Sequence, residues 1–142
     1  MILTKSLSVL KKILFFLALF WAGIIAFFCL VDSSEIPKVN ISIENLDKLV
    51  HIFFHFVLTT LLCLFFKKLF NSDNMIKPVV ISIIISLFFG IIIEILQDLF
   101  TENRHADLFD VLANLFGATL SVITIIVLNK FVDLDGFLAD KV

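Results

Sequence analysis

Charged residues are scarce in this 142-residue chain, at 17%, and their formal net charge is only −2. There is no overall basic field, so a nucleic acid is not an expected partner. Tyrosine is absent and there is one tryptophan, whereas the 18 phenylalanines suit a hydrocarbon environment. The chain is 61% hydrophobic, which is more apolar surface than a soluble domain of this length can bury. Composition therefore predicts an integral membrane protein, with one domain as the default at this length.

Cysteine is also rare, and its positions argue against cross-linking. Cys29 and Cys63 each lie inside an apolar run and have no metal-ligand spacing between them. We expect both to pack as small hydrophobic side chains rather than form a disulfide or a metal site. The first apolar run follows several lysines, as a signal peptide does, but it lacks a small-residue cleavage pattern. We interpret it as a membrane-spanning helix.

Four apolar segments stand out, at residues 11–31, 49–66, 78–99 and 108–128. Each approaches the roughly 20 residues that a helix needs to cross a ~30 Å hydrocarbon core. The backbone must satisfy its own hydrogen bonds there, so these segments are expected to be helices. The prediction is an all-α integral membrane four-helix bundle that forms a single domain over residues 1–142.

Lysines are distributed unevenly among the connections. They precede the first helix, flank the connection between helices two and three, and follow helix four: Lys5, Lys11, Lys12, Lys67, Lys68, Lys77 and Lys130. The other two connections are mainly acidic. Because an excess of lysine marks the cytoplasmic side, we predict that both termini are cytoplasmic and that the acidic connections face outward.

Polar residues recur at helical spacing within three of the four segments. The second segment carries Asp47, His51, His55, Thr59 and Cys63. The third carries Ser82, Ser86, Gly90, Glu94 and Asp98, with Gln97 beside them. The fourth carries Asp107, Asp110, Asn114, Gly117, Ser121 and Thr124. Such spacing places each set on one helix face, so helices two, three and four are expected to meet along these faces.

Most small and hydroxyl residues in these stripes are expected to serve helix packing. The ionisable residues His51, Glu94 and Asp110 are different, because a charge at the bilayer centre costs about 2.5–3.5 kcal/mol on insertion scales. All three lie near the predicted outer ends of their helices, so they are expected to converge on one pocket. A ligand-binding role and a purely structural role both stay open for them. His55, one turn deeper, is expected to be a hydrogen-bonded packing residue.

The candidate ligand-binding residues of this pocket are Asp47, Lys48, His51, Glu94, Gln97, Arg104, Asp107, Asp110 and Asn114. Asp47 has an alternative role as a helix N-cap or dipole partner, and Lys48 could snorkel to the interface. Without a ligand, Arg104 is expected to pair with Asp107, Asp110 or Glu94. We predict no catalytic residue, no cofactor and no metal ligand, although His51, Glu94 and Asp110 could chemically hold a metal ion.

Two motifs resemble the VanZ-like family of membrane proteins. The first is Asp47-Lys48-Leu49-Val50-His51, which leads into an aromatic-rich second helix. The second combines Glu94 and Gln97, a short segment with Arg104, and then Asp110, Asn114 and Gly117. The motifs cover about residues 47–121. Two positions depart from the family pattern, with His55 where Tyr is common and Ser121 where a second Gly is common.

The resemblance implies a multi-pass protein of the bacterial cell (inner) membrane and, for the founding member, low-level teicoplanin resistance. Three functions follow as hypotheses. The first is binding or transport of an anionic lipid or cell-wall precursor headgroup, with Arg104, Lys48 and a protonated His51 meeting a phosphate. The second is a structural partner subunit of a membrane complex. The third is a lipid-modifying enzyme with His51 and a carboxylate as acid and base, but no Gly-x-Ser-x-Gly motif is present.

Overall fold

A computed structural model describes residues 2–31, 46–71, 74–101 and 106–131, and for residues 2–8 it describes the backbone alone. These residues form four α-helices: α1 (Ile2–Leu30), α2 (Leu46–Phe70), α3 (Ile76–Phe100) and α4 (Leu108–Phe131). No strand occurs in the described part of the chain. Each helix contains a stretch long and apolar enough to cross a membrane. The predicted all-α, membrane-spanning four-helix bundle is confirmed, whereas its orientation in the membrane stays a prediction.

The helices extend beyond the apolar runs that predicted them. α2 begins three residues earlier than predicted, so Asp47 and Lys48 lie in its first turn. Asp47 is thus inside the helix rather than at its N-cap, although a carboxylate there still interacts favourably with the helix dipole. The N-cap of α4 is Asp107, whose Oδ1 accepts a hydrogen bond from the Phe109 N–H at 2.8 Å. Pro78 lies in the first turn of α3, as expected.

α2 packs against each of the other three helices and forms the centre of the bundle. Two hydrogen bonds fix α1 in place: Trp21 Nε1 donates to the Phe54 carbonyl at 3.0 Å, and Gln97 Nε2 of α3 donates to the Cys29 carbonyl at 2.8 Å. An apolar core between α1, α2 and α3 contains Ile25, Cys29, Phe54, Leu58 and Ile93. Large apolar side chains elsewhere point away from the protein, as expected for surfaces in contact with lipid.

The polar stripes face one another as the spacing predicted. His55 Nδ1 and Ser86 Oγ lie 2.8 Å apart between α2 and α3, and Thr60 and Ser121 join α2 to α4 through their hydroxyls, also at 2.8 Å. At Gly117 the backbones of α2 and α4 nearly touch, because a Cβ there would lie 2.9 Å from the Ile52 carbonyl carbon. Small and polar side chains thus hold these helices together.

Both cysteine side chains are buried, in agreement with the packing role expected for them.

Candidate functional site

Four polar side chains from three helices meet at the end of the bundle where α2 and α4 begin and α3 ends. They are His51, Glu94, Asp110 and Asn114, which we call the His51 cluster, and none is more than 8% exposed. His51, Glu94 and Asp110 each present one ligand-type atom within 4.8 Å of the others. The structure therefore brings together the three ionisable residues that the sequence placed near one membrane surface.

Lys48 lies above the cluster and binds three carboxylates at once. Its Nζ is 3.1 Å from Asp47 Oδ2, 3.1 Å from Asp107 Oδ2 and 3.3 Å from Asp110 Oδ1. Asp47 belongs to α2, while Asp107 and Asp110 belong to the start of α4. Lys48 therefore clamps the first turns of α2 and α4 together, in addition to any role toward a ligand.

In each ionisable side chain of the cluster, one polar atom contacts a neighbouring residue. His51 Nδ1 lies 3.0 Å from Asn114 Oδ1; because an amide oxygen only accepts, this contact is a hydrogen bond in the tautomer that carries a proton on Nδ1. Glu94 Oε2 accepts a hydrogen bond from the Asp107 N–H at 3.2 Å. Asp110 Oδ1 accepts one from Lys48 at 3.3 Å. The second polar atom of each side chain is left to face the interior of the cluster.

Two of those second atoms, His51 Nε2 and Asp110 Oδ2, lie 4.0 Å apart without bonding. Glu94 Oε1 lies 3.8 Å from His51 Nδ1, the nitrogen that also contacts Asn114. Glu94 Oε1 is buried and has no hydrogen-bond partner among the described residues. A buried carboxylate oxygen without a partner is costly, so it marks a position where a proton donor or a cation would be favourable.

The site is rich in negative charge. Asp47, Asp107, Asp110 and Glu94 face one lysine and one imidazole. At the surface end, the Phe109 N–H and then the Lys48 ammonium hold the pKa of Asp107 below its usual range. Asp107 is therefore ionised at neutral pH. Within the described residues, the carboxylates outnumber the cations.

A second polar layer lies one turn deeper. His55 is fully buried and its Nδ1 pairs with Ser86, as expected for a hydrogen-bonded packing residue, while its Nε2 has no hydrogen-bond partner among the described residues. Gly90 makes room for this layer, because a Cβ there would lie 2.7 Å from Asn114 Nδ2 and 3.0 Å from His55 Cε1. Gly90 therefore admits polar side chains from two helices, rather than a neighbouring backbone as at Gly117.

One predicted site residue stands apart from the cluster, and another cannot be placed. Gln97 is buried and donates to the Cys29 carbonyl, which makes it a link between α3 and α1. Arg104 lies outside the described residues, so its predicted pairing with a carboxylate stays a prediction. The capping role of Asp107 was missed, although an aspartate directly before an apolar helical run is a recognisable N-cap signal.

A groove opens beside the cluster, between the end of α1 and the start of α2. Its volume is about 620 Å³. Asp47 and His51 line it together with seven residues of mainly apolar character: Phe28, Cys29, Leu46, Leu49, Val50, Phe53 and Phe54. A second groove of about 260 Å³, further along the bundle, is lined only by apolar residues such as Phe15, Leu62 and Phe89. Only the first of these two joins an apolar wall to the polar cluster.

Comparison of the chain with protein-family models, with curated proteins and with solved structures finds no match. The resemblance to VanZ-like proteins therefore rests on the motifs alone.

Proposed function

We propose that this protein binds a membrane lipid or a lipid-linked cell-wall precursor, with the headgroup at Lys48 and the His51 cluster and an acyl chain in the adjoining groove. The observation that carries the proposal is that His51 and Asp47 belong to both the polar site and the apolar groove. An amphiphile has the same division between a polar end and an apolar end. The groove volume of about 620 Å³ also falls in the range of small-molecule sites, roughly 300–1,000 Å³.

An anionic headgroup is the preferred ligand class. Lys48 is the described cation nearest the groove, and its contact with the exposed carboxylate of Asp47 is the one that a phosphate could replace at least cost. Lys48 alone does not balance the four carboxylates, so the site needs a further positive charge when a phosphate binds. Arg104, in the segment just before α4, is our candidate for part of that charge.

The biological setting follows from the resemblance to VanZ-like proteins. In this proposal the protein lies in the bacterial cell membrane with the site in the outer leaflet, where cell-wall precursors are used. Binding or moving such a precursor would then contribute to the response to glycopeptide antibiotics.

Filling the groove tests lipid binding directly. Leu49→Trp adds a large side chain to the groove wall, while Leu112→Trp makes the same change at an equally exposed position on α4 outside the groove. Native mass spectrometry of the protein released from phosphatidylglycerol nanodiscs, with EDTA present, should show bound lipid on wild type and Leu112→Trp. Leu49→Trp should lose most of it. Equal lipid retention by the two variants would rule out the groove as the binding site.

The polar half of the site is tested by near-isosteric changes. Glu94→Gln and Asp110→Asn keep the side-chain shapes and should leave expression and thermal stability nearly unchanged. They should nevertheless abolish activity in a teicoplanin-resistance or precursor-uptake assay. If both variants behave like wild type in those assays, the cluster has no part in ligand binding and its role is structural.

A structural partner subunit is the second candidate, and one observation favours it. Lys48 is already bound by three carboxylates, and His51 is already bound by Asn114, with no ligand needed. The contacts of Lys48 and His51 with α4 can lock α2 to α4 by themselves. Under this alternative, the cluster variants change stability or partner retention, while the Leu49→Trp variant has no effect on activity.

A further inference from the structure

We propose that His51, Glu94 and Asp110 bind one divalent transition-metal ion, Zn²⁺ or Mn²⁺, at the centre of the His51 cluster. This goes beyond headgroup binding, since the ion would be held by the protein's own side chains whether or not a lipid is present. One imidazole and two carboxylates are a common donor set for such ions. The three groups come from three different helices and converge within 4.8 Å.

The first supporting observation is the burial of two carboxylates in one small volume. Glu94 is 3% exposed and Asp110 is 8% exposed. Of these two carboxylates, Lys48 contacts Asp110 but not Glu94, and the contact is with Oδ1 of Asp110. Two carboxylates in a region of low dielectric repel each other unless a proton or a cation lies between them. A dication would remove that repulsion and use both groups.

The second observation is the unpartnered oxygen of Glu94. Oε1 is buried, has no hydrogen-bond partner among the described residues, and lies 3.8 Å from the imidazole of His51. Native proteins rarely leave such an atom unsatisfied. An unpartnered carboxylate oxygen beside an imidazole is available as a metal ligand.

The third observation is that one polar atom of each proposed ligand is already held by a neighbouring residue. The Asp107 N–H binds Glu94 Oε2, Lys48 binds Asp110 Oδ1, and Asn114 binds His51 Nδ1. Each of these contacts leaves the opposite atom of the ligand available. Metal-binding histidines almost always donate their second ring nitrogen to an oxygen acceptor, and coordinating carboxylates are themselves hydrogen-bonded. The surroundings of the His51 cluster therefore have the arrangement that orients metal ligands.

The distances permit the ion with small movements. His51 Nε2 and Asp110 Oδ2 are 4.0 Å apart, while tetrahedral zinc ligands at about 2.0–2.1 Å from the ion are roughly 3.3–3.5 Å apart. This pair must therefore move about half an ångström closer, and all three donor groups already lie within 4.8 Å of one another. Three protein ligands leave at least one coordination position open for water or for an oxygen of a bound molecule.

The consequence for charge is direct. A dication between Glu94 and Asp110 converts the acidic interior of the site into one that can attract a phosphate. It would add to the positive charge that Lys48 offers an anionic headgroup. Metal binding itself, however, requires no headgroup.

The test uses the full-length protein, purified in detergent without a histidine tag and stripped with EDTA. After equilibration with Zn²⁺ or Mn²⁺ and removal of excess ion, elemental mass spectrometry should find one ion per chain for at least one metal. That metal should also raise the melting temperature, and EDTA should reverse the rise. Wild-type protein that stays folded and binds neither metal stoichiometrically overturns the proposal.

Variants locate the ion. Glu94→Gln and Asp110→Asn should each lose stoichiometric metal, whereas Asp98→Asn removes an exposed carboxylate at the same end of α3 and should retain it. Asn114→Ala should weaken binding by about 10–100-fold, the usual cost of losing a residue that orients a ligand. Stoichiometric metal on a folded Glu94→Gln/Asp110→Asn double variant would overturn the site. Because no lipid is added, failure here leaves lipid binding intact, and failure of lipid binding in EDTA leaves the metal site intact.

Discussion

At the scale of single residues, Lys48 has the largest share of the contacts that organise the site. Its side chain is about a quarter exposed, and its ammonium reaches carboxylates at the starts of two helices. Surface ion pairs contribute little individually, but here one cation separates three anions that would otherwise repel one another. Lys48 is therefore a structural clamp in the free protein and a ligand contact in our proposal.

Replacing Lys48 with methionine should lower the melting temperature in detergent, because Asp47, Asp107 and Asp110 lose their shared cation. Lys48→Arg should keep most of the stability. Intrinsic fluorescence of Trp21, the sole tryptophan, provides the measurement. Lys77→Met is the matched control, since Lys77 contacts only the ring of Phe70, at 4.3 Å, in the described structure. If Lys48→Met melts like wild type, the carboxylates do not depend on Lys48. Adding Asp110→Asn to Lys48→Met should recover part of the loss.

At the scale of helices, the bundle combines two kinds of contact. α1 packs on α2 and α3 through large apolar side chains around Ile25 and Phe54. α2 and α4 instead approach until backbone meets backbone at Gly117. Such close approach allows dispersion contacts and short hydrogen bonds to hold helices together in lipid, where the hydrophobic effect gives no preference for helix association.

Gly117→Ala should destabilise the protein by about 1–3 kcal/mol, the usual cost of overpacking a well-packed interior. The added methyl group would collide with the Ile52 backbone, which cannot move aside as a side chain could. Gly23→Ala is the control, because a Cβ at that position meets nothing within 4 Å. Equilibrium unfolding in mixed detergent micelles gives the free energies. Equal stability of the two variants would contradict the close contact of α2 and α4.

At the scale of the whole molecule, the two ends of the bundle differ in charge. The end with the His51 cluster is acidic, while Lys67, Lys68, Lys77 and Lys130 lie at the other end of the helices. The orientation that follows from this asymmetry has cytoplasmic termini and the cluster on the outer side.

Cysteine labelling in intact cells tests that orientation. In a background where Cys29 and Cys63 are replaced by alanine, a cysteine at exposed Ala106 should react with a membrane-impermeant maleimide. A cysteine at exposed Ile76, at the opposite end of α3, should react only after the cells are permeabilised. The reverse pattern would place the cluster on the cytoplasmic side and end the proposal of an outer-leaflet site.

Sequence patterns captured the spans and the facing polar stripes because hydropathy and four-residue spacing are local properties. They did not capture what each polar atom bonds to. Glu94 and Gln97 are three residues apart on α3. Gln97 nevertheless donates a hydrogen bond to the Cys29 carbonyl, while Glu94 accepts one from the N–H at the start of α4. The early start of α2 was missed for a similar reason. Asp47 and Lys48 are polar, but their helical turn is supported by tertiary contacts with α4.

The position of α4 in the chain also has a consequence for biogenesis. His51 and Glu94 are synthesised before the helix that provides their partners Asn114, Asp110 and the Asp107 N–H. Because translation proceeds from the N-terminus, α2 and α3 enter the bilayer while these buried groups are still unpaired. We therefore expect the polar contacts of His51 and Glu94 with α4 to form only after α4 has been inserted.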